Sequence, residues 1–278
     1  MTALADPTTV STATRLRWAV SDSLAIARRN LTHIRHVPEK LIDVTLQPLI
    51  FVLLFAYVFG GAIAVSDGSY REYLMGGIII QTLAFAIMGT AVGLADDMGK
   101  GVVDRFRSLP MARSAVLAGR ALADMLANLI ALAVLVVAGL IVGWGIHDGI
   151  VAAIAGFALI LLFAYAVTWA GILLGLLVRT PDAAQGFVFV VIFPLTFLAN
   201  TFVSTQDLPS GLRQVAEWNP ISAVVAAVRD LFGNPQGLAS DAAWPLQHAI
   251  PVSIAWCLAV LAISIPLAVR RYRLATAR

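Results

Sequence analysis

The chain has 278 residues, 60% hydrophobic and only 13% charged, with a mean hydropathy of +0.87. Soluble domains carry about 25% charged residues, so this composition excludes a water-soluble globule and points to a membrane protein. The net charge of +3 does not mark a nucleic-acid binder: the basic residues lie in short segments between apolar runs, where they orient the chain in a bilayer.

Roughly forty polar or mixed residues precede the first long apolar run, unlike a cleavable signal, whose basic patch leads straight into an apolar stretch. Residues 1–40 are therefore expected to form a cytoplasmic tail. Within it Leu16, Val20, Leu24, Ala27, Leu31 and Ile34 share one sector at about 100° per residue. Arg17, Arg28 and Arg35 flank that stripe. The pattern fits a helix along the inner membrane surface or one packed on the rest of the protein, stopped near Pro38.

Six spans follow: Leu41 to Ile63, Tyr73 to Ala95, Ala121 to Trp144, Ile150 to Val178, Ala183 to Val203 and His248 to Val269. Each is long enough to cross about 30 Å of hydrocarbon as a helix. A β-barrel is excluded, because the sequence lacks alternating segments of about ten residues. The expected fold is all-α and polytopic: a permease domain over 41–269, with an inner loop at 96–120, an extracellular segment at 204–247 and a cytoplasmic tail at 270–278. With the N-terminus inside, all 19 Lys and Arg except Arg71, Arg213 and Arg229 fall on the inner side, so both termini are placed in the cytoplasm.

Inside the spans, Gln47-Pro48 and Gln81 read as buried polar positions. Gly76-Gly77 and the Gly171/Gly175 pair read as sites of close helix packing. Asp43 and Asp124 lie near cytoplasmic ends; Arg120 and Asp124 are spaced to pair, for structure or for gating. Spans four to six carry no formal charge through their middles, which argues against an ion-driven transporter. Span five holds Phe187, Phe189, Phe193 and Phe197, with Pro194, Thr196 and Asn200 between them. With Gln47, the residues Phe187, Phe193, Thr196, Phe197 and Asn200 are candidates for the path of a large apolar or amphipathic substrate; the alternative is lipid-facing or packing phenylalanine. Ile221 to Phe232 is apolar but too short to span, and Asn219-Pro220 is a good helix start. It is expected to dip back into the outer leaflet or cap the extracellular mouth.

Signals for chemistry are sparse. Cys257 sits alone in an apolar run, and His33, His36, His147 and His248 are scattered, so no metal site is expected. Asp96 and Asp97 point about 100° apart on a helix and read as a solvated end. Gly99-Lys100-Gly101 is not the phosphate cradle GxxxxGK[ST]. The chain is expected to bind no cofactor, and energy from ATP would have to come from another polypeptide.

The most distinctive stretch is the inner loop, where Val102, Val103, Phe106 and Leu109 lie among charges before a break at Ser108-Leu109-Pro110. Such a ridge suits docking into a groove of a soluble partner or packing on the chain's own helices. Here the sequence resembles the permease subunits of type-2 ABC exporters, most closely the daunorubicin-resistance branch. The resemblance rests on GKGVVDRFRSLPMARSAVLAGR in the loop, QPLIFVLLFAYVFGG in span one and FPLTFLANTFVSTQDLPSGLRQVAEWNP after span five, and it covers about residues 15 to 270. It implies six spans behind an amphipathic interface helix, in a bacterial cytoplasmic membrane. It also implies two ATPase subunits carrying ATP and Mg, a second permease (the same or homologous), and contact with membrane lipids. On this chain it implies a coupling role for Asp97, Gly99, Lys100, Gly101, Asp104, Arg105, Phe106, Arg107, Ser108, Leu109 and Pro110. The wider family often has Glu and Thr-Leu where this chain reads Lys100 to Val103, which favours the drug-resistance branch without naming a substrate. The rivals are a self-sufficient secondary transporter or channel, which would need mid-membrane carboxylates or an inverted repeat, and a lipid-modifying enzyme, which would need polar residues clustered at one depth.

Overall fold

The computed structural model describes residues 38–59, 69–100, 113–236, 238 and 241–275. The expected interface helix at residues 16–34 and positions 101–112 of the inner loop lie outside them. Among the described residues all regular structure is helical. Helix α1 (Pro38–Leu53) runs into a π-helical stretch, Leu54–Phe59. It is followed by α2 (Tyr70–Gly99), α3 (Arg113–Val142), α4 (Gly149–Leu177) and α5 (Pro181–Phe197). A 3₁₀ turn (Thr205–Asp207), α6 (Ser210–Glu217), α7 (Pro220–Phe232) and α8 (Trp244–Gln247) then lead to α9 (Ala249–Ala275).

The helix starts follow local chemistry. Ser69 caps α2 by accepting the Arg71 N–H at 3.3 Å. Thr180 caps α5 by accepting from Ala183 at 3.2 Å, and Asn219 caps α7 by accepting from Ile221 at 2.9 Å, each ahead of a proline at the first helical position. Gly233, at φ 66°, ends α7 in the left-handed conformation that other side chains rarely adopt.

Helices α2, α3, α4 and α9 are long and apolar enough to cross a membrane, and the apolar helices Leu46–Val58 and Pro181–Phe197 are shorter. The chain is a multi-pass membrane protein. Chain direction puts the C-terminal ends of α2, α4 and α9 with the N-terminal ends of α3 and α5; this is called the loop end, because residues 101–112 leave from it. Helices α2 and α4 form the centre, with α9 on α4, α5 on α2 and α1 on α3. At the opposite end α7 is inserted among α2, α4 and α9, and every residue from Ile221 to Arg229 is buried.

Glycine sets the α2–α4 distance, as the sequence indicates. A β-carbon on Gly171 would lie 2.9 Å from the Thr90 Cβ, and one on Gly175 would lie 2.8 Å from the Ala91 carbonyl oxygen. Two expectations change. The fifth apolar helix ends at Phe197 rather than Val203, because the next carbonyls are taken by side chains of α2 and α7. Gln47 is exposed rather than buried, because α1 buries the stripe Pro48, Val52 and Ala56, and position 47 falls off it.

Candidate functional site

At the loop end, α2 finishes with two aspartates that separate as helical geometry requires. Asp96 takes the Lys100 ammonium at 2.7 Å on the exposed side. Asp97 crosses to α3, accepting from Arg120 Nη1 at 2.9 Å. Arg120 also donates from Nε to Asp124 at 3.0 Å, the pair its spacing foretells. Its Nη2 reaches the carbonyls of Gly89 and Thr90 at 3.4 and 3.5 Å, over Gly93, where a β-carbon would collide with it. Beneath lies an apolar cluster that includes Leu94, Leu117, Trp169, Ile172 and Tyr272. Of the residues implied in coupling, Asp97, Gly99 and Lys100 stand at this end, with Gly99 and Lys100 exposed. Gly101, Asp104, Arg105, Phe106, Arg107, Ser108, Leu109 and Pro110 lie outside the described residues.

The second feature is the flank of α5. Phe189, Phe193 and Phe197 stack at centroid separations of 5.0 and 4.3 Å. The series continues through Phe202 (5.4 Å) to Phe55 (4.3 Å) and Phe51 (5.9 Å) of α1 and its π-helical extension. Phe189, Phe193 and Phe197 are exposed on the surface of this chain. Phe187 is exposed too, but sits about 200° around the helix from Phe189 and so off this ladder. Thr196 and Asn200 are turned inward and fully buried. The Thr196 hydroxyl bonds the Ile192 and Phe193 carbonyls at 2.8 and 3.0 Å; the Asn200 side-chain amide has no hydrogen-bond partner among the described residues. The candidate path residues thus divide: Phe193 and Phe197 share a face, Phe187 and Gln47 are exposed elsewhere, and Thr196 and Asn200 are interior. On the other side of α5, Val191, Leu195 and Leu198 face Val215 and Trp218 across an apolar groove of about 410 Å³.

The third feature, at the opposite end, was not singled out from the sequence. Arg229 of α7 is fully buried. It donates from Nε to the Tyr73 carbonyl at 2.7 Å, from Nη1 to the Asn200 carbonyl at 2.9 Å and from Nη2 to the Thr201 carbonyl at 3.1 Å. The Tyr73 hydroxyl also donates to the Asn200 carbonyl at 2.9 Å, and the Tyr70 hydroxyl to the Phe202 carbonyl at 3.2 Å. Three successive carbonyls released where α5 stops are therefore closed by α2 and α7. No ion pair among the described residues involves Arg229. Carbonyl dipoles and the Tyr73 ring supply its compensation. The available signal was an arginine inside an apolar helix too short to span. Counting it with the outer-loop charges concealed its inward direction.

Of the histidines, His33 and His36 lie outside the described residues. His147 bonds Glu72 at 2.8 Å, His248 stacks on Trp244, and no group of potential metal ligands occurs among the described residues.

A bundle of apolar helices, four of them long enough to cross a membrane, with a charged, clamped loop end has the form of a polytopic membrane protein. The chain belongs to the ABC-2 type transporter family, whose model matches residues 22–232. It is 33% identical over 255 residues to the daunorubicin resistance ABC transporter permease protein DrrB1 of Streptomyces coeruleorubidus, covering 92% of this chain and 87% of that one. It is 28% identical over 209 residues to the doxorubicin resistance ABC transporter permease protein DrrB of Mycobacterium tuberculosis, covering 72% of each. A putative transport permease, ycf38, of Cyanophora paradoxa is 23% identical over 232 residues, covering 82% of this chain and 80% of its own length.

Proposed function

We propose that this chain is the membrane subunit of an ATP-driven exporter that moves a hydrophobic or amphipathic compound (a drug, an antibiotic or a lipid) outward. ATP and Mg are handled by two separate ATPase subunits, and the pathway is completed by a second permease, the same or homologous. The observation that carries the reading is the match along 92% of the chain to a daunorubicin-resistance permease. The long apolar helices and the missing phosphate cradle support it. In this reading six spans lie in a bacterial cytoplasmic membrane with both termini inside, so the loop end is cytoplasmic. The basic, partly apolar stretch from Gly99 to Pro110 docks on the ATPase. The exposed ladder Phe189, Phe193 and Phe197, continued through Phe202 to Phe55 of the π-helical stretch, faces the second permease and borders the path.

The test is deletion of Asp104 to Leu109 in a tagged chain expressed with its ATPase. The expected result is normal insertion with at least tenfold less co-purified ATPase. Undiminished capture would refute docking through this loop.

A further inference from the structure

Helices α2 and α3 are the two roots of the loop, yet they share far less packing with each other than α2 shares with α4. A loop pulled from outside could therefore move one root without the other, or simply unravel them. Near their ends, one side chain ties them. Arg120 on α3 holds Asp97 on α2 at 2.9 Å and its own helix through Asp124 at 3.0 Å. Its Nη2 also reaches the α2 backbone carbonyls of Gly89 and Thr90 at 3.4 and 3.5 Å. The glycine at position 93 leaves the space that this approach occupies. A planar fork with five donors serves both carboxylates and the backbone at once; a lysine ammonium is a point charge and cannot. The side chain of Arg120 is only 16% exposed, so solvent screens these contacts less than it screens the outer pair of Lys100 and Asp96.

We propose that Arg120 is a positioning residue for transport: it locks the two roots of the loop into one mechanical unit, so that displacement of residues 101–112 reaches α2 and α3 together. This rests on the coupling role proposed above and adds to it the element that carries force from the loop into the helices. It also gives Asp97 a specific part, as the α2 half of the tie rather than a contact of the ATPase.

The experiment uses full-length chain with its ATPase in membrane vesicles, in a Cys257→Ala background with Val203→Cys as reporter. Val203 is exposed at the opposite end from Arg120. The rate at which an impermeant maleimide labels it is measured with and without ATP plus vanadate, and normalised to captured ATPase. For the parent the rate should change on trapping. Arg120→Gln should cut that change at least fivefold while ATPase capture and basal hydrolysis stay at the parent level. Arg120→Lys should restore part of it. Gly93→Leu, which keeps every charge and introduces a good helix former but fills the guanidinium's place, should behave like Arg120→Gln; it carries the test if Arg120→Gln is poorly inserted. A full parental change in Arg120→Gln or Gly93→Leu overturns the proposal. So does a loss confined to insertion or ATPase capture, with the change per complex intact. A parent that captures no ATPase, or shows no change on trapping, instead overturns the function proposed above, before any variant is read.

Discussion

The guanidinium carbon of Arg229 lies 3.4 Å from the centroid of the Tyr73 ring, and the same arginine bonds the Tyr73 carbonyl. One residue of α2 thus meets a buried cation with both its π-face and its backbone, while its hydroxyl reaches on to Asn200. Removing Arg229 leaves the Thr201 carbonyl without that charge-assisted donor and empties a packed space. Arg229→Met should therefore destabilise the protein by on the order of 3 kcal/mol. Lysine should recover only part of this, since one ammonium cannot span acceptors on two segments. Tyr73→Phe, which removes only the hydroxyl, should cost about 1 kcal/mol, and Tyr73→Leu more, because the ring is lost as well. Cys257 is buried, so its exposure to a thiol-reactive dye on heating reads unfolding directly. Equal melting of Tyr73→Phe and Tyr73→Leu would show that the ring contributes nothing.

The adjacent glycines of α2 should respond differently to the same added methyl. A β-carbon on Gly77 would meet the carbonyl carbon of Thr201 at 2.8 Å and its Cα at 2.9 Å, all backbone held by Arg229. On Gly76 the nearest atom is the Arg229 Cγ at 2.9 Å, a side-chain atom rather than backbone, so less of the structure has to shift. Gly77→Ala should cost about 3 kcal/mol and Gly76→Ala about 1 kcal/mol. Gly89→Ala, which meets nothing within 4 Å among the described residues, should be neutral or stabilising by up to about 1 kcal/mol. The same dye melt orders the three variants, and a Gly77→Ala protein as stable as Gly89→Ala would contradict this packing.

Much of this architecture is legible locally. Hydropathy marks the long helices, Asn219-Pro220 marks the start of α7, the Gly171/Gly175 spacing marks the close approach of α4 to α2, and the i,i+4 spacing marks Arg120–Asp124. What sequence does not carry is direction over long separations. Asp97 reads as a solvated helix end until α3 brings Arg120 to it, 23 residues on. Arg229 reads as an outer charge until α7 folds inward against Tyr73, 156 residues away. The end of α5 at Phe197 is likewise set by donors on other helices rather than by a stop signal of its own. The helical wheel separates Phe187 from Phe193, but whether a wheel face meets solvent, lipid or protein depends on neighbours the pattern does not name.

The stacked face of α5 makes a further prediction, which rests on the proposed path. Phe189, Phe193 and Phe197 are each more than a third exposed in this chain, so truncation should leave it folded, lowering stability by no more than about 1 kcal/mol each. If that face borders the path, the triple alanine variant should keep normal membrane levels and ATPase capture. Energised efflux of daunorubicin, the compound named for the relative, should fall at least fivefold. Phe187→Ala, on the other side of the helix, is the control and should change efflux less than twofold. A triple variant that exports at the parental rate would remove this face from the path.

The last prediction concerns the short helix α6, where Arg213 donates to Glu217 at 2.7 Å and to Asp241 at 2.6 Å. Glu217 is buried and also accepts the Ala243 N–H at 3.0 Å, so the arginine ties α6 to the chain entering α8. The hydrogen bond from Arg213 holds the Asp241 carboxyl below its ordinary 3.8. A carboxyl depressed in the folded state stabilises above its unfolded pKa, and that contribution disappears as pH falls through the folded one. Asp241→Asn imitates the protonated acid. Its melting temperature, followed by tryptophan fluorescence in detergent, should fall short of the parent's by a constant amount from about pH 5 to pH 8. The gap should narrow below about pH 4 and close in stronger acid, because the parent then carries a neutral Asp241 too. A gap that widens on acidification would mean the charge on Asp241 opposes the folded state, and the tie between α6 and α8 would have to rest on Glu217 alone.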